Sequence, residues 1–520
     1  MAYAEPLPQT LGRQRAEASR ICSVTGLRIF TGAQALTVAN AVAAVLALAT
    51  GGLFGMLVGL SRAPALDFLG PNTFYAALTG HGVSALVLWP VFFEVAAMVF
   101  ASSILLNARV WSMKLGWLSF ALMTGGAAIL LVTILLGEAD VMFTAYPPLV
   151  ATPAFYIGYL VFAVGVLGAI VNFTMTILAA RVEGVYSGSL PLVTYGVACA
   201  AILALLSLLS GLIALVPAWF YSQGWIDSIE PIVYRGWFWG LGHTLQYVNV
   251  IAMVVAWYGI AALGFGAGPV NQKFTRFAFV LYLLIAVPVL GHHFLVDPSL
   301  GTGVKFVGGT VMGFGLGIPS LMHGLAVMGG IEAEQRARGV AGLFGWLKRL
   351  KWGHFGTAAL ACSLLIFAIG GWSGTVETTL PLNLVNHNTM GVPAHLHSTV
   401  VGGTTIAFMG FAYFLVPLLT RRRLWGGKLA TIQVYMYGAG LFVMIVGQTW
   451  AGAVGVPRRT SSIAYEGGVP GGWHASMNLN GVGVAFASTA GALFILIMVA
   501  TLLIGKRTTE PTELAEPAYR

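Results

Sequence analysis

The sequence predicts an all-α polytopic membrane protein, with about twelve transmembrane helices in one domain. Three observations carry this. The 520 residues are 58% hydrophobic and only 8% charged, unlike any soluble domain of this size. Apolar stretches of about 18 or more residues recur along the chain, long enough to cross a bilayer. The 67 glycines suit the close helix approach that packing in lipid favours.

The elements follow in order. Residues 1–30 are polar and Arg-bearing, without a short apolar core and cleavage site, so a cytoplasmic tail is expected rather than a signal peptide. A single twelve-helix domain is expected over residues 31–505. Its spans lie near 35–60, 79–106, 115–137, 153–180, 192–217, 236–264, 274–296, 303–330, 355–374, 391–419, 429–455 and 475–504. No water satisfies backbone groups in lipid, so these should be helices. Residues 506–520 form a second tail. With both termini inside, only Arg62, Arg235, Lys305, Arg458 and Arg459 fall in outer loops, leaving 21 of the 26 Lys and Arg on the cytoplasmic side. The net charge of +9 is thus a membrane-orientation signal and not a nucleic-acid signature. The cluster Arg421–Arg423 and the loop from Arg336 to Lys351 read as membrane-surface anchors. Cys22, Cys199 and Cys362 lie far apart, which argues against a disulfide framework or a Cys metal site.

That topology sorts the ten histidines. His81 falls at the outer start of span two, and His243 near that of span six. His292 and His293 fall at the outer end of span seven, and His387, His395 and His397 around the outer start of span ten. Seven of ten thus share one depth, the outer third of the bilayer. Polar side chains at such depth are costly and tend to be functional. Neutral imidazole is the common ligand of haem iron and copper; the bland alternative is a set of interhelical hydrogen bonds. His395 and His397, two residues apart on a helix, project about 200° apart, so each can hold a different metal. Six imidazoles divide readily among one copper, one six-coordinate haem and one five-coordinate haem. His292 and His293 with His243 suit a three-coordinate copper. His395 and His397 then face two haems, with His81 as the remaining axial ligand. His354 and His474 sit at loop edges and are expected to be interfacial.

Seven motifs carry a family resemblance: Gly80-His81-Gly82-Val83, Tyr146-Pro147-Pro148-Leu149, Gly242-His243 with Tyr247, His292-His293, Pro319-Ser320-Leu321-Met322, the stretch Val385 to His397, and Val456-Pro457-Arg458-Arg459. Together they resemble subunit I of the haem-copper oxidase superfamily over nearly the whole chain. Pro319 to Met322, His387-Asn388-Thr389 and Val392-Pro393 look most like the B-type cytochrome c oxidase branch. The resemblance implies two haems and one copper ion. His81 and His397 would hold the low-spin haem, His395 the high-spin haem, and His243, His292 and His293 the copper. Arg458 and Arg459 would hold haem propionates, with His387 and Asn388 as further candidates. Tyr247, four residues after His243 and on the same helix face, would be the redox partner in splitting the O–O bond.

The resemblance also implies a proton path. Leu245 stands where A-type members have a Glu, so a single K-type path is expected, with Tyr258, Ser320 and His323 as candidates and Glu94 as a further one. Asn383 stands where B-type members have an acid four residues before His387, and Asn cannot take up a proton as an acid would. The expected function is reduction of O2 to water with electrons from cytochrome c or a similar donor, entering through a subunit II-like partner, coupled to proton uptake and translocation. No nucleic acid is expected as a partner. The expected location is the cell inner membrane, with the metal site toward the outer face. The string after His243 lacks the usual Pro, as in relatives that look like nitric oxide reductases, so NO is the alternative substrate. A haem-free transporter is the remote alternative.

Overall fold

Backbone groups in lipid have to be satisfied within their own segment, and the chain does this with helices. The structure, a computed structural model, describes residues 17–464, 468–509 and 517–519. Eleven of its helices are long and apolar enough to cross a membrane, among the described residues. In chain order the bundle is α1 (Thr31–Ser61), α2 (Pro71–Ile104), α3 (Met113–Leu135), α4 (Pro153–Val182), α5 (Leu192–Ser222) and α6 (Pro231–Phe265). The shorter α7 (Gln272–Ile285) follows. Then come α8 (Thr302–Ala337), α9 (Phe355–Thr378), α10 (Gly391–Thr420), α11 (Gly427–Ala453) and α12 (Trp473–Ile504). A hairpin of Ser19–Ile21 against Arg28–Phe30 precedes α1.

Local chemistry sets the ends. Proline opens α2, α4 and α6, where its missing N–H costs nothing. Ser112 caps α3 by accepting from Leu115 N, and Asn271 caps α7 by accepting from Lys273 N and Phe274 N. Gly266 ends α6 in the left-handed region.

The expected seventh span is not one continuous helix. α7 is 14 residues long, and the chain continues as a 3-10 helix over Pro288–Phe294. Pro288 has no N–H to extend the α-helical ladder. Gly291 packs so closely on the next segment that a Cβ there would lie 3.0 Å from Gly308 C. The second span begins at Pro71, so His81 sits well inside α2 rather than at its start.

Burial ranks the helices. In the most apolar windows of α6, α2 and α10, 89%, 83% and 83% of residues are buried, against 22% for α1 and 28% for α8. The three most enclosed helices are those that carry His243, His81 and the His395–His397 pair. Four segments widen into π-helical turns, including Ser84–Leu88, just after His81, and His397–Thr405. Such turns frequently mark functional sites.

At the end of the bundle away from these histidines, Arg422 donates to Gly505 O at 2.9 Å and Arg423 N to Lys506 O at 2.9 Å. The arginine cluster expected as a surface anchor is therefore tied to the end of α12. Ala518 accepts from Lys351 N and donates to Gly264 O. The expected tails fall partly on residues 1–16, 510–516 and 520, outside the described residues.

Candidate metal centre

His81 on α2 and His397 on α10 face each other with ring centroids 6.1 Å apart and planes 23° apart. Each imidazole is fixed through Nδ1. His81 Nδ1 donates to Gly51 O at 2.9 Å, and His397 Nδ1 donates to Gln448 Oε1 at 3.0 Å. Since these acceptors are carbonyl oxygens, the proton is on Nδ1 and the lone pair is on Nε2. Gln448 is held in turn by Asn480, to which its Nε2 donates at 3.0 Å. Gly55, one turn from Gly51, leaves room for the His81 ring; a Cβ there would come within 2.6 Å of Nδ1. Both histidines line a cavity of about 410 Å³.

His395 points the other way, toward α9. Its Nδ1 lies 3.0 Å from Gly370 O and 3.1 Å from Ser373 Oγ, which leaves Nε2 free of these bonds. Gly374 makes room beside it: a Cβ there would lie 3.1 Å from the ring's Cε1. Two residues of spacing thus put two anchored imidazoles on opposite sides of α10.

His243, His292 and His293 form a cluster whose ligand atoms all lie within 4.8 Å of one another. The His243 ring is 4.8 Å from that of His292 and 5.2 Å from that of His293. Nδ1 of His243 and Nε2 of His293 are buried without a hydrogen-bond partner, a state that calls for an explanation in a native protein. Trp239, one turn before His243, stacks on His293 at 3.6 Å and 9°. Tyr247, one turn after His243, lies 5.0 Å from it ring to ring.

Two loops close this end of the bundle. Arg458 N donates to Asn388 O at 2.8 Å, and Met390 N donates to Val456 O at 2.9 Å, around an antiparallel bridge between Thr389 and Pro457. Asn388 and Arg459 both adopt positive φ, which Asn tolerates well. The pairing brings Arg458 and Arg459 to the wall of the cavity that holds His81 and His397. Arg62 joins them there, donating to Pro457 O at 2.6 Å. Arg235 forms an ion pair with Asp297 at 3.0 Å and lies 5.8 Å over the Tyr146 ring. The Ser299 hydroxyl, ahead of Arg235, holds the Asp297 carboxyl below the usual range. Burial and then the neighbouring Arg459 push Arg458 down to about 10. His387 is pushed down to about 4 by burial and then by Arg458, Arg235 and Arg459. Such a concentration of cations awaits anionic groups.

The proposed path residues separate into two places. Tyr258 OH and His323 Nδ1 are 3.0 Å apart. Tyr282 OH and Ser320 Oγ are 2.8 Å apart. The Tyr282 ring stacks on His323 at 5.8 Å and lies 6.1 Å from the Tyr247 ring. Tyr247, Tyr258, Ser320 and His323 are therefore brought together, with Tyr282 joining them. Glu94 stands apart from this group. It lies across α6 in an apolar cavity of about 80 Å³ lined by Gly242 and Leu245, with Oε1 unpartnered. His354 caps α9, accepting from Gly356 N at 3.0 Å, and His474 is exposed. Sequence reasoning missed Arg62, Gln448 and Tyr282. Each is chemically ordinary, and only the packing of distant helices places it.

The family described as "Cytochrome C and Quinol oxidase polypeptide I" matches residues 35–486. The chain is 33% identical to cytochrome c oxidase subunit 1 of Thermus thermophilus, over 91% of this chain and 85% of that one. It is 24% identical to cytochrome c oxidase polypeptide 1 of Halobacterium salinarum, over 91% and 78%. The solved structure of a haem-copper terminal oxidase dimer superposes with a TM-score of 0.84 at 24% identity, covering 93% of this chain and 86% of that one. The fold is thus that of the haem-copper terminal oxidases. The chain belongs to the cytochrome c and quinol oxidase polypeptide I family and is an oxidoreductase of the subunit I type. The family implies haem and copper, and the residues present fit both. Anchored imidazoles border a cavity faced by arginines, and buried imidazole nitrogens without partners converge where an ion would sit.

Proposed function

We propose that the chain is the catalytic subunit of a respiratory terminal oxidase that reduces O2 to water with electrons from cytochrome c or a similar donor. The observation that carries this reading is the cluster of His243, His292 and His293 with Tyr247 one helical turn away. His81 and His397 would hold a six-coordinate haem, His395 a five-coordinate haem, and the His243 cluster one copper. When bound, these groups supply electron storage and oxygen-binding redox chemistry. The chain's own residues do the rest. Gly51, Gln448, Gly370 and Ser373 fix the tautomer and direction of the His81, His397 and His395 imidazoles. Arg62, Arg458 and Arg459 would pair with propionates, with His387 and Asn388 alongside. Tyr247 would pass its phenolic proton and one electron to the oxygen being reduced, regaining the proton through the path below it and the electron from the donor. Tyr258, His323, Tyr282 and Ser320 hold and pass protons toward it.

The basic residues support an orientation with both termini in the cytoplasm and the metal site toward the outer face of the cell inner membrane. One domain over residues 31–505 carries the whole site. Partners are a subunit II-like electron-entry protein and the bilayer.

The test uses one purified, haem-containing preparation with an artificial reductant, an oxygen electrode and then an NO electrode. Fast O2 uptake with little NO consumption is expected. Fast NO uptake with poor O2 turnover would overturn the reading in favour of NO reduction.

A further inference from the structure

Among the described residues, three carboxyl side chains are buried: Glu94, Asp297 and Glu377. Asp297 has Arg235 as a counter-ion, and Glu94 faces an apolar cavity. Glu377, at the end of α9, is different. It is 7% exposed and forms no ion pair among the described residues. Two amides cradle it from the short helix Leu380–Asn386. Asn383 Nδ2 donates to Glu377 O at 2.7 Å and to Oε2 at 3.3 Å, and Asn386 Nδ2 donates to Oε1. Arg458, from the loop after α11, is the charged group that faces it, and His387, Arg235 and Arg459 cluster around that arginine. The π-helical stretch Lys305–Val311 touches this region through Thr310, which donates to Thr378 O at 3.0 Å; its only charged residue, Lys305, is at the opposite end.

One atom of the cradle is unsatisfied. Asn383 Oδ1 is buried and has no hydrogen-bond partner, although Asn383 is only 2% exposed. A buried acceptor left empty beside a carboxyl is costly unless something fills it. A protonated Glu377 can fill it. The carboxyl O–H donates to Oδ1, and the amide N–H groups still have the carboxyl's other oxygen as acceptor. With Glu377 ionised, the same amides donate to both oxygens, as they do here. The cradle is therefore built for either protonation state.

We propose that Glu377 holds and releases a proton on the outer side of the metal site, with Asn383 and Asn386 as its cradle, so that it carries the carboxyl that position 383 lacks. This rests on the oxidase reading above. The step is simple. One O–H bond forms at the carboxylate when a proton arrives from the site side, and the same bond breaks as the proton leaves to outer water. No electrons change hands at the residue.

The test uses Glu377→Gln and the exchanged pair Glu377→Gln/Asn383→Asp in the whole oxidase. Gln keeps the shape and the hydrogen bonds, so a purely structural role survives the single substitution. In reconstituted vesicles, the single variant should keep O2 uptake within about twofold and lose outward proton release. The exchanged pair should recover release, because the carboxyl moves only across the 3.3 Å contact. Infrared difference spectra between resting and turning-over protein should show a deuterium-sensitive protonated-carboxyl band that vanishes in Glu377→Gln and returns in the pair. Full proton release by Glu377→Gln, or no recovery in a pair that retains its haem spectra, overturns the proposal. If Glu377→Gln fails to assemble, the pair decides alone: release at wild-type level sustains the proposal and loss overturns it. Absence of O2 uptake in the wild-type protein would instead sink the oxidase reading.

Discussion

The two imidazoles of α10 and the two of the segment after α7 are built on opposite plans. His395 and His397 sit on a deeply buried helix, and each Nδ1 is already bonded, to Gly370 O and Ser373 Oγ or to Gln448 Oε1. His292 and His293 sit on a 3-10 turn that follows the short α7, and Nε2 of His293 has no partner. The first region is preorganised by the protein. The second is completed by the ion it would bind, so order there is coupled to metal.

The largest expected effects come from breaking either side separately. His292→Ala should remove copper and O2 uptake while leaving the low-spin haem spectrum intact. His397→Ala should do the reverse, losing the low-spin spectrum with copper retained by metal analysis. If His292→Ala instead erased the low-spin haem selectively, the division of ligands would be wrong. Next comes Tyr247→Phe, which keeps the ring and removes the hydroxyl. It should lower O2 turnover by about 100-fold or more, the scale of a positioned proton donor, with both haem spectra unchanged. Undiminished turnover would count against its role.

Smaller effects sharpen the comparison on the anchored side. Gln448→Leu should weaken retention of the low-spin haem by about 10-fold, the lower end for an outer-shell partner, measured as haem content during denaturant titration. Copper content should not change. The smallest effect concerns His387, whose folded pKa of about 4 lies below its ordinary 6.5. Between those values the unfolded chain binds a proton that the folded chain refuses. Stability should therefore fall as pH drops from 6.5 toward 4 and level off below. The difference in thermal midpoint between the protein and His387→Gln should follow that window. A pH-independent difference would remove His387 from the group.

Much of this architecture was legible in the chain because lipid leaves few choices. Long apolar runs had to become helices, and histidines at one depth had to be brought together. The 3-10 turn at His292 and His293 was harder to read, since hydropathy stays high through Pro288 and conceals the break. The short α7 had the same cause. In the site, His243, His292 and His293 could be grouped from the sequence, but Gln448, Arg62 and Tyr282 could not. They reach it through contacts between residues 51, 395 and 35 positions apart in the chain, and neither periodicity nor motif encodes such partners. Asn383 was visible as a missing acid, whereas the carboxyl beside it came from a neighbouring helix.

One close approach links mechanical fit to colour. Gly447 precedes Gln448, and a methyl group on its Cα would come within 2.5 Å of Asn480 N, on the facing helix. Those two helices, α11 and α12, carry the amide pair that steers His397. Pushing the backbones apart at Gly447 would swing the imidazole without touching it. The absorption band of the haem it would hold would then act as a gauge of the spacing between two helices, so that a single added methyl group becomes visible to a spectrophotometer.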